Sequence, residues 1–359
     1  MSSPATASDP VVSATPQMAS KKRDPGLDAV RFLAAALIVW LHAMEISPHL
    51  TKLAVIGRGS VPFFAMAAVL LMGQSLRRDP ARPYGAYAWS RVVRIYGPFL
   101  VWTILYLLFR NAKYIIRGHT GDLQINPGLL LGSAAHHLWF LPFLLIVCLV
   151  MFPIVRIIVR GGPTARLVAA LCAVAGLAIA FINIPWSTAP AVEQQRVTAW
   201  EGTLGAASYL GGLGWWALPA VFWGAALVAV DTQVIKWLAR WRRLAFASAV
   251  LAILGCVTAL LLLGRFSFLE NIYGVAFLAA ALLPWKGRIV DFLAYLGRYA
   301  YGIYLIHVAV GLGMEMFVVR DRNSASFPVI FGLMLATLVI STLLAVLIGR
   351  FRATRWLAP

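Results

Sequence analysis

The segment RFLAAALIVWLHAMEIS, which begins at Arg31, places residues able to do chemistry inside a stretch apolar enough to enter a membrane. His42 is a candidate proton acceptor, because imidazole titrates near neutral pH, and Glu45 follows one helical turn later, where a carboxylate can orient the ring. Arg31 precedes His42 by about three helical turns, roughly 16 Å along the axis, so one helix face carries both. Charged groups inside a bilayer usually face a protein interior or a cavity. The pattern predicts either a functional face or two packing pairs, Asp28–Arg31 and His42–Glu45.

A second candidate is the arginine pair Arg91 and Arg94 in WSRVVRIYGPF, at the start of another apolar stretch. Two guanidinium groups on one helix face suit a phosphate or pyrophosphate, because their forked donors bind oxyanions in pairs. The alternative is that these arginines only set membrane topology and contact lipid headgroups.

Two further stretches combine histidines with aromatic residues. HHLWFLPFLL contains His137 and Trp139, which are candidates for a wall of an acceptor site or for an interfacial aromatic belt. In YLGRYAYGIYLIHVAV, Tyr304 and His307 lie three residues apart on one helix face. A histidine in the middle of a membrane needs a hydrogen-bonding partner, so packing and catalysis are both open for His307.

The composition requires an all-α polytopic membrane protein. Of 359 residues, 61% are hydrophobic and 12% are charged, whereas a soluble domain carries about 25% charged residues. A membrane-spanning helix needs about 20 mostly apolar residues, which predicts a bundle of ten transmembrane helices. The predicted spans are 27–46, 54–76, 95–112, 137–158, 165–184, 213–231, 244–264, 269–285, 293–318 and 327–349.

The net charge of +18 reflects membrane topology. With ten spans, the segments on one side of the membrane are all basic, and the positive-inside rule makes that side cytoplasmic. Both termini are therefore predicted to be cytoplasmic, and no nucleic-acid partner is expected, because the basic residues stand in short loops between apolar spans.

The predicted domains are a polar cytoplasmic tail over 1–26, a membrane domain over 27–350 and a short cytoplasmic tail over 351–359. The three cysteines all fall inside apolar spans and are predicted to be packing residues. Neither a metal-ligand spacing, nor a phosphate-binding glycine loop, nor a nucleophilic serine elbow is present in the sequence. No metal site is predicted.

Taken together, these stretches resemble acyltransferase family 3, the integral membrane glycan O-acyltransferases. LDAVRFLAAALIVWLHA resembles the first-helix signature of the family, and SRVVRIYGP carries its pair of arginines. GSVPFFAMAAVLL, HLWFLPFLL, VFWGAAL and YAYGIYLIH resemble further signatures in the order of the family, from about residue 26 to 350. Ala67 and Ala68 depart from the Ser-Gly pair that usually follows the two phenylalanines of the second helix.

The resemblance implies a ten-helix bundle in the inner membrane of a bacterium. The donor would be cytoplasmic acyl-coenzyme A, with acetyl as the expected acyl group and no permanently bound cofactor. The acceptor would be a hydroxyl of a cell-surface or exported glycan, or of a lipid-linked sugar. His42 would act as general base or acyl relay, Arg31 would orient the site, and Arg91 and Arg94 would engage the phosphates of the donor.

Substrate binding is the role expected for His137, Trp139, Tyr304 and His307.

The competing function is a transporter or flippase of a glycan or acyl substrate. Such a protein would more readily show repeated halves, or helices broken by Gly or Pro at matching positions. The sequence shows neither.

Overall fold

The computed structural model describes residues 24–116, 127–132, 134–182, 203–264, 266–319 and 321–357. Residues 1–23 of the predicted N-terminal tail and residues 358–359 of the predicted C-terminal tail lie outside these ranges. For those parts the domain boundaries stay predictions.

Within the described residues the regular structure is helical and contains no strand. The α-helices are α1 Pro25–Met44, α2 Ser60–Arg78, α3 Tyr84–Arg91, α4 Gly97–Ile116, α5 Phe140–Arg160, α6 Gly162–Phe181, α7 Thr203–Val228, α8 Asp231–Arg240, α9 Arg242–Leu263, α10 Ser267–Ala281, α11 Arg288–Gly297, α12 Ala300–Val318 and α13 Phe327–Arg350. Short 3₁₀ segments lie at Thr51–Gly57, Pro127–Leu131 and Arg355–Leu357, and Val92–Tyr96 is π-helical.

This architecture confirms an all-α polytopic membrane protein. Each predicted span contains a helix, and in the described part of the chain eight helical segments are long and apolar enough to cross a membrane alone. The sixth predicted span differs, because Gly214–Val228 bends by 85° into α8. The eighth span also differs, since α10 has 15 residues, which is about 22 Å of helix against a hydrocarbon core of about 30 Å.

The predicted ninth span, 293–318, is wrong as one continuous helix. α11 ends at Gly297 and α12 begins at Ala300. The end of α11 lies close against α1, because a Cβ atom on Gly297 would lie 1.8 Å from the carbonyl oxygen of Asp28. This backbone contact between α11 and α1 cannot be read from local hydropathy.

The bend between α7 and α8 is held by a charged contact with α2. Arg77 donates from Nη1 to Oδ1 of Asp231 at 2.6 Å, and it also donates to the carbonyl of Val228. Asp231 is 2% exposed. A buried carboxylate needs such a partner, so this pair fixes the corner at which the chain leaves α7.

Helix α1 carries the chemistry-bearing stripe and is surrounded by other elements. It packs against α2, α10, α11, α12, α13 and the 3₁₀ segment Thr51–Gly57. Its start is set by Asp24, whose Oδ1 accepts the amide of Gly26 at 2.9 Å, and by Pro25 in the first turn. The stripe residues Ala35 and Ile38 are buried, so this face of α1 looks into the protein.

Arg94, the second arginine of the predicted phosphate-binding pair, lies in the π-helical segment Val92–Tyr96. Pro98 has no amide hydrogen, so the carbonyl of Arg94 cannot receive the usual α-helical bond. The amide of Gly97 instead donates to the carbonyl of Val92, five residues earlier. Such π-helical turns recur at functional sites.

Candidate functional site

Four imidazole rings from three parts of the chain form one group, here called the histidine cluster: His42 of α1, His136 and His137 before α5, and His307 of α12. The ring centroids of His42 and His136 are 4.6 Å apart, those of His42 and His307 are 5.4 Å apart, and those of His137 and His307 are 5.0 Å apart. The fold therefore brings His307 to the His42–Glu45 face that the sequence singles out.

One nitrogen of His42 faces two partners. Its Nδ1 lies 3.3 Å from Oε2 of Glu45 and 3.0 Å from Nε2 of His136. The tautomer is assigned from these partners: a hydrogen on Nδ1 is shared between two acceptors. The lone pair of the neutral ring then resides on Nε2.

The tautomer of His307 is set by backbone carbonyls. Its Nδ1 donates to the carbonyl of Tyr304 at 2.7 Å and contacts the carbonyl of Ile303 at 3.2 Å. Its Nε2 therefore carries the lone pair, and this atom has no hydrogen-bond partner among the described residues. The ring is 1% exposed and stacks on His42 with an interplanar angle of 26°.

Behind Glu45 lies a small charged group. Nη2 of Arg58 is 3.5 Å from Oε1 of Glu45, and Nε of Arg58 is 3.7 Å from Oε1 of the buried Glu270. Burial alone would raise the pKa of the Glu45 carboxyl, which lies just beyond the end of α1. The hydrogen bond from His42, together with nearby positive charge that includes Arg58, outweighs burial and lowers that pKa below its ordinary value. Glu45 is therefore a carboxylate that orients His42.

A cavity of about 350 Å³ opens in front of the cluster, a volume typical of small-molecule sites. His42, His136 and His307 line one part of it, and apolar residues of α1, α12 and α13 line the rest. Glu315 and Arg322 also line it, joined by an ion pair of 2.6 Å between Nε and Oε1. The cavity thus combines an imidazole wall, an apolar interior and a charged pair.

His137 and Tyr304 contact His307 but are not among the residues that line the cavity. The hydroxyl of Tyr304 donates to the carbonyl of His137. Tyr106 donates to the carbonyl of Leu305 at 2.8 Å and accepts the amide of Ala309 at 3.0 Å. These bonds tie α4, α12 and the segment before α5 together, so they hold the rings of the cluster in place.

Two other predicted site residues, Trp139 and Arg31, lie apart from the cluster. Trp139 is buried among aromatic rings, with centroids 5.7 Å from Phe143 and 6.4 Å from Trp216. Arg31 pairs with Asp28 at 3.4 Å, roughly 16 Å along α1 from His42. Arg31 and His42 therefore lie at different depths along α1.

The arginine pair forms a separate location. Arg91 lies at the end of α3 with its guanidinium carbon 5.1 Å from the centroid of Tyr87, and its Nε is buried with no hydrogen-bond partner in the described part of the chain. Arg94 is exposed in the π-helical segment. The pair thus spans the junction of an α-helix and a π-helical segment, and its binding of phosphates stays a prediction.

Several residues of the site are missed by sequence reasoning. An ionisable group inside an apolar stretch is a signal of function, and this signal was available for Glu270 and Glu315. His136 stands in the HHLWFLPFLL stretch that the sequence singles out, but its contact with His42 was not predicted, and Arg58 gave no comparable signal. The sequence also showed no sign that ligand atoms of His42, Glu45 and His136 lie within 4.8 Å of one another, and the expectation of no metal site stays a prediction. Metal-ligand spacing could not reveal this, since 94 residues separate His42 from His136.

Comparison with known proteins adds one finding. A family model described as an acyltransferase domain matches residues 24–346, a range that holds every site residue described above. A search of curated proteins and a search of solved structures each gave no match.

Proposed function

Because the chain belongs to this acyltransferase family and is a multi-pass membrane acyltransferase, we propose that it transfers an acyl group from acyl-coenzyme A to a hydroxyl of a glycan. Acetyl is the acyl group of the proposal, and a cell-surface, exported or lipid-linked sugar is the acceptor. One observation carries it: His42, oriented through Nδ1 by Glu45, lines a cavity of about 350 Å³.

In the proposed reaction His42 acts as general base. Its Nε2 takes the proton of the sugar hydroxyl as the oxygen attacks the thioester carbonyl. The carbon–sulfur bond then breaks, and the proton passes from His42 to the departing thiolate. Glu45 holds the imidazole in the required tautomer and stabilises the imidazolium, as the carboxylate does in a hydrolase triad. A positioned base of this kind contributes roughly 10²–10⁴-fold to the rate.

His42 can also serve as an acyl relay within the same proposal. Nε2 then attacks the thioester first, coenzyme A leaves, and the sugar hydroxyl takes the acyl group from the imidazole in a second step. The two routes differ in one measurement. A burst of coenzyme A in the absence of acceptor supports the relay, whereas strict dependence of coenzyme A release on acceptor supports direct base catalysis.

The proposed donor site is at Arg91 and Arg94, on the cytoplasmic side of the bacterial inner membrane. Stacking on Tyr87 holds the guanidinium of Arg91, and paired donors suit the phosphates of coenzyme A. The donor would extend its long pantetheine arm into the bundle, past the level of Arg31, so that the thioester reaches His42. Arg31, with a side chain 37% exposed, is proposed to help position this arm.

The charged pair of Glu315 and Arg322 supports a sugar acceptor. A carboxylate accepts hydrogen bonds from sugar hydroxyls, and a guanidinium donates to sugar oxygens. Both groups line the same cavity as His42 and His307, so an acceptor can contact the pair while its hydroxyl reaches Nε2 of His42.

Transfer of label in membrane vesicles tests the function. Inside-out vesicles that contain the chain and its glycan receive radiolabelled acetyl-coenzyme A on their outer, formerly cytoplasmic, face. We expect label in the glycan, a loss of roughly 10²–10⁴-fold for His42→Ala, and normal transfer for His49→Ala, a matched change at an exposed histidine.

Two results would contradict the proposal. Unchanged transfer in a folded His42→Ala protein removes His42 from the reaction. Absence of label with acetyl, succinyl and longer donors, with folded protein and glycan present, removes glycan acylation from acyl-coenzyme A.

A further inference from the structure

We propose that His42, Glu45 and His136 form a binding site for a divalent transition-metal ion, with Zn²⁺ the best match, and that the bound ion blocks acyl transfer. The binding part rests on geometry alone. The inhibition part rests on the proposed role of His42.

The distances among the three side chains suit a single ion. Nδ1 of His42 lies 3.0 Å from Nε2 of His136 and 3.3 Å from Oε2 of Glu45, and the three ligand atoms all lie within 4.8 Å of one another. Zinc bonds to imidazole nitrogen and carboxylate oxygen are about 2.0–2.2 Å, which places tetrahedral ligands about 3.3 Å apart. Because His136 is exposed, its ring can make the small adjustment that this geometry needs.

The donor set also suits zinc. Two histidines and one glutamate with an open fourth position are a recurrent zinc set, and imidazole is a preferred ligand of such ions. The second oxygen of Glu45 is held by Arg58 at 3.5 Å, the kind of outer contact that orients a metal ligand.

Metal binding and base catalysis need opposite tautomers of His42. In the metal-free site the hydrogen resides on Nδ1, shared by Glu45 and His136, and Nε2 keeps the lone pair. A metal ion on Nδ1 takes that position, and the neutral ring then carries its hydrogen on Nε2. Nε2 can no longer accept the proton of a sugar hydroxyl. One proton moves from Nδ1 to Nε2, and no oxidation or reduction takes place.

The cavity gives the ion its entry. All three ligands line it, together with His307, whose ring stacks on His42. The ion and the acceptor hydroxyl would therefore occupy neighbouring positions in one cavity. The bound ion would prevent His42 from acting as a base, and a chelator that removes the ion would reverse the inhibition.

Direct binding of zinc tests the site without any activity measurement. Isothermal titration of Zn²⁺ into the purified full chain in detergent is compared for the unchanged protein, His136→Ala and His49→Ala. We expect binding by the unchanged protein, affinity lower by at least about tenfold for His136→Ala, and no change for His49→Ala, whose histidine is exposed outside the cluster. Absence of binding, or equal affinity in His136→Ala and the unchanged protein, overturns the site.

The inhibition is tested in the vesicle assay. Zn²⁺ should stop label transfer, a chelator should restore it, and His136→Ala should need a zinc concentration higher by the same factor as its loss of affinity. Binding with zinc-insensitive transfer overturns the inhibition. If the protein binds Zn²⁺ but transfers no label in metal-free vesicles, the proposed function is contradicted and the metal site stands. If it transfers label but binds no Zn²⁺, the metal site is contradicted and the proposed function stands.

Discussion

Two of the imidazoles at the cavity wall, those of His42 and His307, use Nδ1 for intramolecular contacts. His42 shares its hydrogen between Glu45 and His136, and His307 donates to the carbonyl of Tyr304. Both rings therefore keep the lone pair on Nε2, and their planes are stacked. At the residue scale, the fold itself thus orients the Nε2 lone pairs of both rings.

The role of Nε2 of His307 can be separated from packing. His307→Asn keeps an amide donor near the position of Nδ1, so the bond to Tyr304 is retained, but it removes the Nε2 lone pair. We expect kcat to fall by about 10²-fold, because the imidazolium that forms on the stacked His42 loses a neighbouring acceptor. Initial-rate kinetics in vesicles measure this, with thermal unfolding as the check on folding, and His307→Gln, which restores an acceptor near Nε2, should recover part of the rate. A normal kcat in His307→Asn would show that the ring only packs.

The proposed donor site predicts that loss of Arg94 changes KM for acyl-coenzyme A. Arg94→Gln should raise KM for acyl-coenzyme A by roughly 10–150-fold with little change in kcat, because a hydrogen bond to a charged group contributes about 1.5–3 kcal/mol. Arg78→Gln is the matched control, since Arg78 is also exposed, lies at the end of α2 and is not part of the pair. If both variants raise KM equally, the effect belongs to general surface charge and the donor site is elsewhere.

At the scale of helices, α1 is the element on which the site depends. It presents His42 to the cavity and is in contact with α10, α11, α12 and α13. The tightest of these contacts is that of Gly297 in α11, where a Cβ atom would meet the carbonyl oxygen of Asp28 at 1.8 Å. Helices approach this closely only through small residues, so the position of α1 relies on this glycine.

Gly297→Ala therefore should destabilise the fold. An added methyl group in a packed interface costs about 1–3 kcal/mol, and here the neighbour is backbone, which cannot move aside. Gly313→Ala in α12 is the matched control, because a Cβ there meets nothing within 4 Å, and alanine favours a helix over glycine by about 1 kcal/mol. Thermal unfolding in detergent should show a lower midpoint for Gly297→Ala and an unchanged or higher one for Gly313→Ala. Equal midpoints would contradict the close approach.

At the scale of the whole molecule, orientation decides from which side each substrate arrives. The proposed topology puts both termini and the loop between α2 and α3 in the cytoplasm, and the loop between α12 and α13 outside. The three native cysteines are buried, so an introduced cysteine can be labelled over a low background. Ala81 and Ser324 are exposed positions in the two loops.

A membrane-impermeant maleimide should label Ser324→Cys in intact cells and Ala81→Cys only after permeabilisation. The reason is the concentration of Lys and Arg on the cytoplasmic side. Gel shift of the labelled chain reads out both variants in parallel. The reverse pattern would invert the topology and would place Arg91 and Arg94 on the side opposite to cytoplasmic acyl-coenzyme A.

The sequence by itself determined the membrane class, most of the helices and the face of α1 that carries His42 and Glu45. These follow from local physics: a bilayer needs long apolar helices, and α-helical periodicity alone puts residues three and four apart on one face. The family signatures, being short local patterns, were readable in the same way, and the family model over residues 24–346 agrees with them.

Only the tertiary structure decided which side chains join that face. His136 and His307 reach His42 across 94 and more than 200 residues, Trp139 turns to an aromatic core, and α11 ends where its backbone meets α1. Each of these outcomes depends on the packing of helices that are distant in the chain. A hydropathy pattern records which residues avoid water, but it does not record which of them touch. The face of α1 that carries His42 was therefore predictable, and the cavity in front of it was not.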